Sequence, residues 1–362
     1  MNEDRSSRYN RLKRQAGILS VVWSVVLLAG LLVSGASASL RNLAGNSVFA
    51  IVFYVGLLLL LNELGSLPIG FYSGFVLERR YGLSHEPLGG WLVDQLKGFA
   101  IALVLSSICA AIVYALIRVS PEGWWLPAGA VFALLIVGLA NLAPVLLIPL
   151  FYSVKPLDRE DLRARLLKIA DRAGAKVLGA YEWGLGEKTK KANAALTGIG
   201  ATRRILVSDT MLAEYSDEEI EVVLAHELAH HVHGDIWKSI IFQSLLVLAG
   251  FYLASRMLAW LAPAVGLTGV ADIAGLPLLV LAAGAVSLVM VPVAHVISRA
   301  CERSADLFAL SLTKNPAAFI SVMKRLAAQN LAEEHPSKLV QILFYSHPPV
   351  RDRIAAAQAF RS

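Results

Sequence analysis

The stretch VLAHELAHHVHGD, residues 223–235, holds two histidines four apart, His226 and His230, with Glu227 directly after the first. On a helix, positions i and i+4 share a face, so both imidazoles can address one ion. Glu227 lies one position round the helix, suited to reach a water activated by that ion rather than to bind the ion itself. Zinc fits such a set: it accepts nitrogen ligands, tolerates an open coordination position and lowers the pKa of water to about 7. The helix is predicted independently of the motif. Ser216 with Glu219 three residues later is a capping box, Asp217 and Glu218 suit the positive helix start, and Gly234 can end or bend the helix.

A catalytic ion needs a third protein ligand. A histidine six residues beyond the motif is excluded, because position 236 is Ile. The segment SRACERSADLFALSL, residues 298–312, offers Glu302, with Asp306 four residues on and on the same helical face. Glu302 would complete a two-histidine, one-glutamate set, and Asp306 would accept the outer N–H of a ligand imidazole and so fix its tautomer. The competing reading of this pair is a solvated helix face beside Arg303. Cys301 reads as a small apolar side chain, and with Cys109 inside a membrane span no disulfide framework is expected.

Composition says what must position these groups. The chain has 362 residues, of which 56% are hydrophobic and only 17% charged, against about 25% charged in a soluble domain. Apolar runs long enough to cross a bilayer fall near 17–38, 48–76, 98–117, 125–151, 237–256 and 276–297, about six spans. Arg5, Arg8, Arg11, Lys13 and Arg14 precede the first span, and Arg79, Arg80 and Lys97 lie between the second and third; the opposite loops hold Arg41, Arg118 and Arg256. Basic residues favour the cytoplasmic side, so both termini and the catalytic segments are expected there. The same bias accounts for the net charge of +6, and no nucleic-acid partner is expected. The first span reads as a retained anchor, the alternative being a signal cut after Ala38 in SGASASL.

Four parts follow: residues 1–151 with about four transmembrane helices, 152–236 as a catalytic segment, 237–297 with two further transmembrane helices, and 298–362 as a second polar segment. Within 152–236, PLDREDLRARLLKIADRAGA predicts a helix with Asp158 as N-cap, Leu162, Leu166, Ile169 and Ala173 on one face and Gly174 as its stop. KVLGAYEW (176–183), ANAALTGI (192–199) and RRILVSD (203–209) read as strands of a small sheet. The expected fold class is a mainly α, polytopic membrane protein of about six transmembrane helices with a cytoplasmic, zincin-like α+β metalloprotease domain containing a small sheet.

In order along the chain, FVLERRYGLSHEPLGGWLVDQLKG, PLFYSVKPL, ANAALTGIGATRRILVSDTML, the HELAH run, ERSADLFAL and QNLAEEHPSKLVQILFYSHPPVRDRI resemble blocks of the membrane-integral zinc CAAX prenyl proteases, type 1 or a-factor-converting class, with bacterial heat-shock membrane proteases as relatives. The resemblance runs from about residue 60. It implies that His226, His230 and Glu302 bind one zinc ion per chain, that Glu227 is the general base and that Asp306 is the outer partner. It further implies that Asn193 lies beside the substrate and that His347, in SHPP, donates to the tetrahedral oxyanion; by residue type alone both read as structural. His85, His231, His233, His295 and His335 are expected to be non-ligands. Ala195 and Leu196 depart from the family, whose members often carry aromatic residues there, and the eukaryotic members' additional early span and retrieval tail have no counterpart in this sequence. The Ala- and Leu-rich spans suit a bacterial plasma (inner) membrane.

The function expected is a membrane-embedded zinc metalloendopeptidase acting on peptide or protein substrates, lipid-modified or otherwise membrane-associated, in contact with membrane lipid. The alternatives are a membrane-protein quality-control protease of the heat-shock type, or a non-catalytic scaffold or transporter with a structural zinc. Glu227, which binds no metal in this geometry, argues against the last. Glu63, in the second span, tolerates a membrane best when it faces a wet interior, the other reading being a charge reaching to the interface.

Overall fold

The computed structural model describes residues 4–45, 49–198 and 200–360. Among the described residues, six helices are long and apolar enough to cross a membrane. The first is α1 (Arg5–Val33), followed by the short α2 (Ala36–Ala44). Then come α3 (Ala50–Arg80), which passes through a π-helical stretch at Phe71–Val76, α4 (Leu88–Val119) and α5 (Trp125–Leu146). A sheet-containing segment follows: β1 (Val154–Pro156), α6 (Glu160–Arg172), β2 (Ala180–Trp183), β3 (Ala194–Thr197), β4 (Arg204–Ser208) and α7 (Asp217–Val232). The last two long helices are α8 (Asp235–Leu261) and α9 (Leu276–Thr313), and α10 (Pro316–Gln329), α11 (Lys338–Phe344) and α12 (Val350–Ala359) complete the chain.

The number of spans matches the sequence expectation, and their ends move for local reasons. The first helix stops at Val33 rather than 38 because Gly35 takes φ +75, a left-handed conformation that breaks the helix and starts α2. The last does not stop near 297. It runs without interruption to Thr313, so one rigid helix carries both membrane-spanning residues and Glu302 with Asp306. Around the bundle, side chains such as Leu19, Val26, Leu64, Val104, Ile241 and Val289 are exposed, as helix faces meant for hydrocarbon are. The α8–α9 contact is close: a Cβ on Gly250 would lie 3.1 Å from the Ala283 Cα, so glycine is what lets the two backbones meet.

The sheet has the order β1-β2-β4-β3, with β2 and β4 parallel and the outer pairs antiparallel, which leaves β3 on an edge. The three expected strands form in shortened versions; Ile199, the end of the second, lies outside the described residues. β1 is an addition, since three residues ending in proline show no alternation that the sequence could reveal. Asp158 is not the N-cap of α6. Leu157 is still in extended, sheet-like pairing, its N–H donating to the Ala180 carbonyl at 3.0 Å while its side chain is buried, so the helix begins only at Glu160 with no side-chain cap. Gly174, at φ +70, follows the last helical turn as expected.

A single apolar core joins the two polar stretches of the sequence. Leu162 and Leu166 of α6, Ile205 of β4 and Ile220 and Leu224 of α7 pack with Leu310 of α9 and with Phe319 and Val322 of α10. α1 is tied to the same end of the molecule through Glu78 of α3, a buried carboxylate that accepts from the Tyr9 hydroxyl at 2.6 Å and pairs with Lys13 at 2.6 Å and Lys191 at 3.0 Å. A cut after Ala38 would remove Tyr9 and Lys13 and leave the buried Glu78 carboxylate with Lys191.

Two substitutions test the local helix starts. Ser216→Ala, which removes half of the capping box on α7, is expected to destabilise the detergent-solubilised chain by about 1 kcal/mol in thermal unfolding. Asp158→Ala, at an exposed residue that caps nothing, is expected to stay within about 0.5 kcal/mol of the parent.

Candidate active site

α7 is held at its start by the reciprocal pair the sequence predicts. The Ser216 hydroxyl accepts from the Glu219 N–H at 3.3 Å, and the Glu219 carboxylate accepts from the Ser216 N–H at 2.9 Å. Glu219 also accepts from Ser321 at 2.6 Å and from Arg325 at 2.9 Å, which docks α10 against the helix that bears the histidines. With its start and one face fixed in the core, α7 presents His226 and His230 to α9.

Glu302 of α9 meets both rings. His226 Nε2 lies 3.2 Å from Glu302 Oε2, and His230 Nε2 lies 3.4 Å from Glu302 Oε1. Among the described residues these three form the one group whose ligand atoms all fall within 4.8 Å of one another. Glu302 Oε2 is buried and has no hydrogen-bond partner, its approach to His226 being short but not aligned for one. A buried carboxylate oxygen left in that state is expensive unless a cation completes it, so the residues present fit a divalent metal.

Each imidazole is oriented from behind. His226 Nδ1 lies 2.9 Å from Asp306 Oδ1, and Asp306 is gripped by Arg353 of α12 through bonds of 2.8 and 2.5 Å. His230 Nδ1 lies 3.0 Å from Asp235 Oδ2, and Asp235 takes a second bond from Lys238 at 2.7 Å. Asp235 can reach back because Gly234 adopts φ +69, a left-handed conformation that breaks the helix between α7 and α8. Asp235 and Arg353 were missed from sequence. The first stands in the opening quoted stretch as a helix-start acid and the second in the SHPPVRDRI block, but nothing in their spacing says which ring or carboxylate they serve.

Burial opposes a charge on His226, yet Asp306 and Glu302 outweigh it and raise its pKa. In His230 burial is likewise overcome, by Glu302 and Asp235, and its pKa is pushed up to about 9. Both rings are therefore primed for positive charge, which a divalent cation would supply in place of protons. Burial lifts the Glu227 carboxyl above its ordinary range while His226 and His230 pull the other way, a setting suited to a group that must take up and give back a proton.

His347 Nε2 lies 3.3 Å from Glu302 Oε1, and the ring keeps 58% of its surface open. Its Nδ1 meets the Ser346 hydroxyl at 2.9 Å, and desolvation lowers its pKa from the usual value while the Glu302 carboxylate opposes the shift. Asn193 is exposed at the start of the edge strand β3, which packs beside α7; its N–H donates to the Ser208 hydroxyl at 3.0 Å and its carbonyl accepts from the Ser208 N–H at 2.9 Å. The structure thus brings His226, His230, Glu302, Asp306 and His347 together and sets Asn193 on the neighbouring strand. On the membrane side His230, Asp235 and Glu302 border a cavity of about 730 Å³ whose further walls include Ile136, Leu139 and Ala143 of α5 and Ile240 and Phe242 of α8.

The family description "Peptidase family M48" matches residues 156–361, and "CAAX prenyl protease N-terminal, five membrane helices" matches residues 2–153. Within the latter stretch the described residues hold four membrane-length helices and the short α2. The chain is 31% identical over 361 residues to the uncharacterized metalloprotease YhfN of Bacillus subtilis, covering 98% of this chain and 84% of that protein. It is 25% identical over 341 residues to the probable CAAX prenyl protease 1 of Schizosaccharomyces pombe, covering 93% and 72%, and 27% identical over 329 residues to the CAAX prenyl protease 1 homolog of Oryza sativa, covering 87% and 75%. In fold it superposes on the crystal structure of S. mikatae Ste24p with a TM-score of 0.87 at 22% identity, over 98% of this chain and 88% of that one.

The orienting carboxylates should be measurable in metal binding. Asp306→Ala and Asp235→Ala are each expected to weaken zinc affinity by about 10–100-fold in chelator competition, whereas Glu302→Ala should abolish stoichiometric binding. Unchanged affinity in the two aspartate variants would show that the rings are held by packing alone.

Proposed function

Because the chain belongs to peptidase family M48, a family of peptide hydrolases, and spans the membrane several times, we propose that it is a zinc metalloendopeptidase of the CAAX prenyl protease 1 kind. His226, His230 and Glu302 would hold the ion, one per chain. The observation that carries this reading is the buried Glu302 carboxylate, aimed at two imidazoles with one oxygen lacking a hydrogen bond, beside a glutamate, Glu227, that is no part of the ligand set. When bound there, the ion supplies Lewis acidity: it polarises a carbonyl and makes water acidic enough to attack near neutral pH.

The protein's own groups do the rest. An extended peptide adds to the free edge of β3, its backbone paired as a further strand and its course set by Asn193. Glu227, with its raised pKa, takes the proton of the attacking water and returns it to the leaving amine. His347 donates from Nε2 to the oxyanion that forms on the scissile carbonyl; in the tautomer protonated only there Nδ1 accepts, and the Ser346 hydroxyl is in place to donate to it. Asp306 and Asp235 hold the ligand rings still while charge moves.

The substrate class we assign is a peptide carried by a lipid-modified or otherwise membrane-associated protein. Two things support it: relatives named as CAAX prenyl proteases, and the apolar cavity that leads from Glu302 between α5, α8 and α9. In this reading residues 152–236 and 298–362 form the catalytic part on the cytoplasmic side, which the basic residues of the short loops support, residues 1–151 and 237–297 supply the membrane helices, and the Ala- and Leu-rich spans suit a bacterial inner membrane.

Glu227→Gln is expected to keep its zinc and lose about 10²–10⁴-fold in kcat, and His347→Ala to lose about 10²–10³-fold. Mass spectrometry of products from paired prenylated and unmodified peptides reads the substrate class: cleavage confined to or strongly favouring the prenylated member is the expected result, and equal cleavage of both would remove the lipid requirement. Full activity in Glu227→Gln would overturn the assignment of the base.

A further inference from the structure

His347 stands on the loop between α11 and α12, and a loop residue meets a reacting carbonyl reproducibly only if groups outside the loop hold it. Arg299 of α9 does part of this, donating to the carbonyls of Tyr345 at 2.7 Å and Gln341 at 2.8 Å. The Tyr345 side chain, two residues from His347, is held separately. Its hydroxyl donates to Glu333 at 2.6 Å, and Arg14 of α1, 331 residues away in sequence, lies 2.5 Å from the same Glu333 oxygen and 3.0 Å from the Tyr345 hydroxyl. The Arg14 guanidinium also lies over the Tyr345 ring at 6.0 Å. With side-chain exposures of 17% and 9%, the Arg14–Glu333 pair is shielded from water, so removing one partner strands the other rather than releasing it to solvent.

One helical turn earlier, the Asn10 amide donates to the Leu331 carbonyl at 2.7 Å. Leu331 has φ +50, a left-handed conformation that a leucine holds only when its surroundings impose it. The neighbouring Asn330 side chain pairs with both backbone groups of Ala192, each at 3.2 Å, immediately before Asn193. The polar end of α1 therefore grips a segment that braces the edge strand at one end and carries His347 at the other.

We infer that Arg14 is a positioning residue for His347, acting through Glu333 and Tyr345, and that α1 is part of the catalytic apparatus as well as an anchor. The inference rests on the role given to His347 under the proposed function. A double-mutant cycle on the full-length, zinc-loaded protein tests it, with Arg14→Gln, His347→Ala and their combination assayed for kcat, KM and bound zinc. Arg14→Gln is expected to lower kcat by about 10- to 100-fold, the scale of a small misplacement of a reacting group, with KM and zinc content unchanged. In the His347→Ala background the same substitution should do nothing more. Tyr345→Phe, which deletes only the hydroxyl that Arg14 and Glu333 share, is expected to repeat the kcat loss, and Arg14→Lys, which keeps the charge pair, to recover part of it. Losses that multiply in the double variant, a fall in bound zinc, or full activity in both Arg14→Gln and Tyr345→Phe would each overturn the inference while leaving the zinc peptidase reading intact. Wild-type kcat in His347→Ala would instead remove the role of His347 itself and this inference with it.

Discussion

A carboxylate buried between two imidazoles is the constraint on which the rest of this structure depends. Glu302 lies on a helix that crosses the membrane, His226 and His230 on a helix that does not, and the three meet only if both helices keep their positions to within an ångström or so. Bringing such a group out of water is unfavourable unless its charge is answered. The answer is partly built in: each ring is backed by a carboxylate, and each of those carboxylates by a cation, Arg353 behind Asp306 and Lys238 behind Asp235. The remainder is the divalent ion that the orphaned Glu302 oxygen calls for.

The membrane helices act as rigid supports for this chemistry. α9 continues for sixteen residues beyond its expected end at 297 to Thr313, so Glu302 is held by the packing of a whole transmembrane segment against α8, where Gly250 lets the backbones touch. α8 starts one residue after Gly234, and that single left-handed residue lets its first aspartate turn back on His230. Soluble scaffold and bilayer scaffold are thus coupled at the site itself, and the apolar cavity beside Glu302 is walled by α5 and α8 together with α9, the helix that carries Glu302.

The polar half is built on one core. Two stretches separated by two membrane spans share the cluster of Leu162, Ile205, Ile220, Leu310 and Phe319. Glu219, capping its own helix and binding Ser321 and Arg325 of α10, is the polar link between them.

Local pattern alone sufficed for the paired histidines, the capping box, the count of spans and the stops at Gly174 and Gly234, because each depends on spacings of three or four residues, on the length of a continuous apolar run or on the backbone freedom of one glycine. It failed at Asp158, where tertiary pairing of Leu157 with Ala180 held the chain extended for two more residues, and at β1, whose three residues are a strand only because β2 lies beside them. Asp235, Arg353 and Arg14 were invisible as functional groups for the same reason. An aspartate at a helix start or an arginine on a charged face looks alike wherever it occurs, and what it orients is decided by contacts reaching 47 residues along the chain for Arg353 and 319 for Arg14. Sequence spacing carries the geometry of one helix; only the packing of helices against one another determines which side chains from distant segments share a charge.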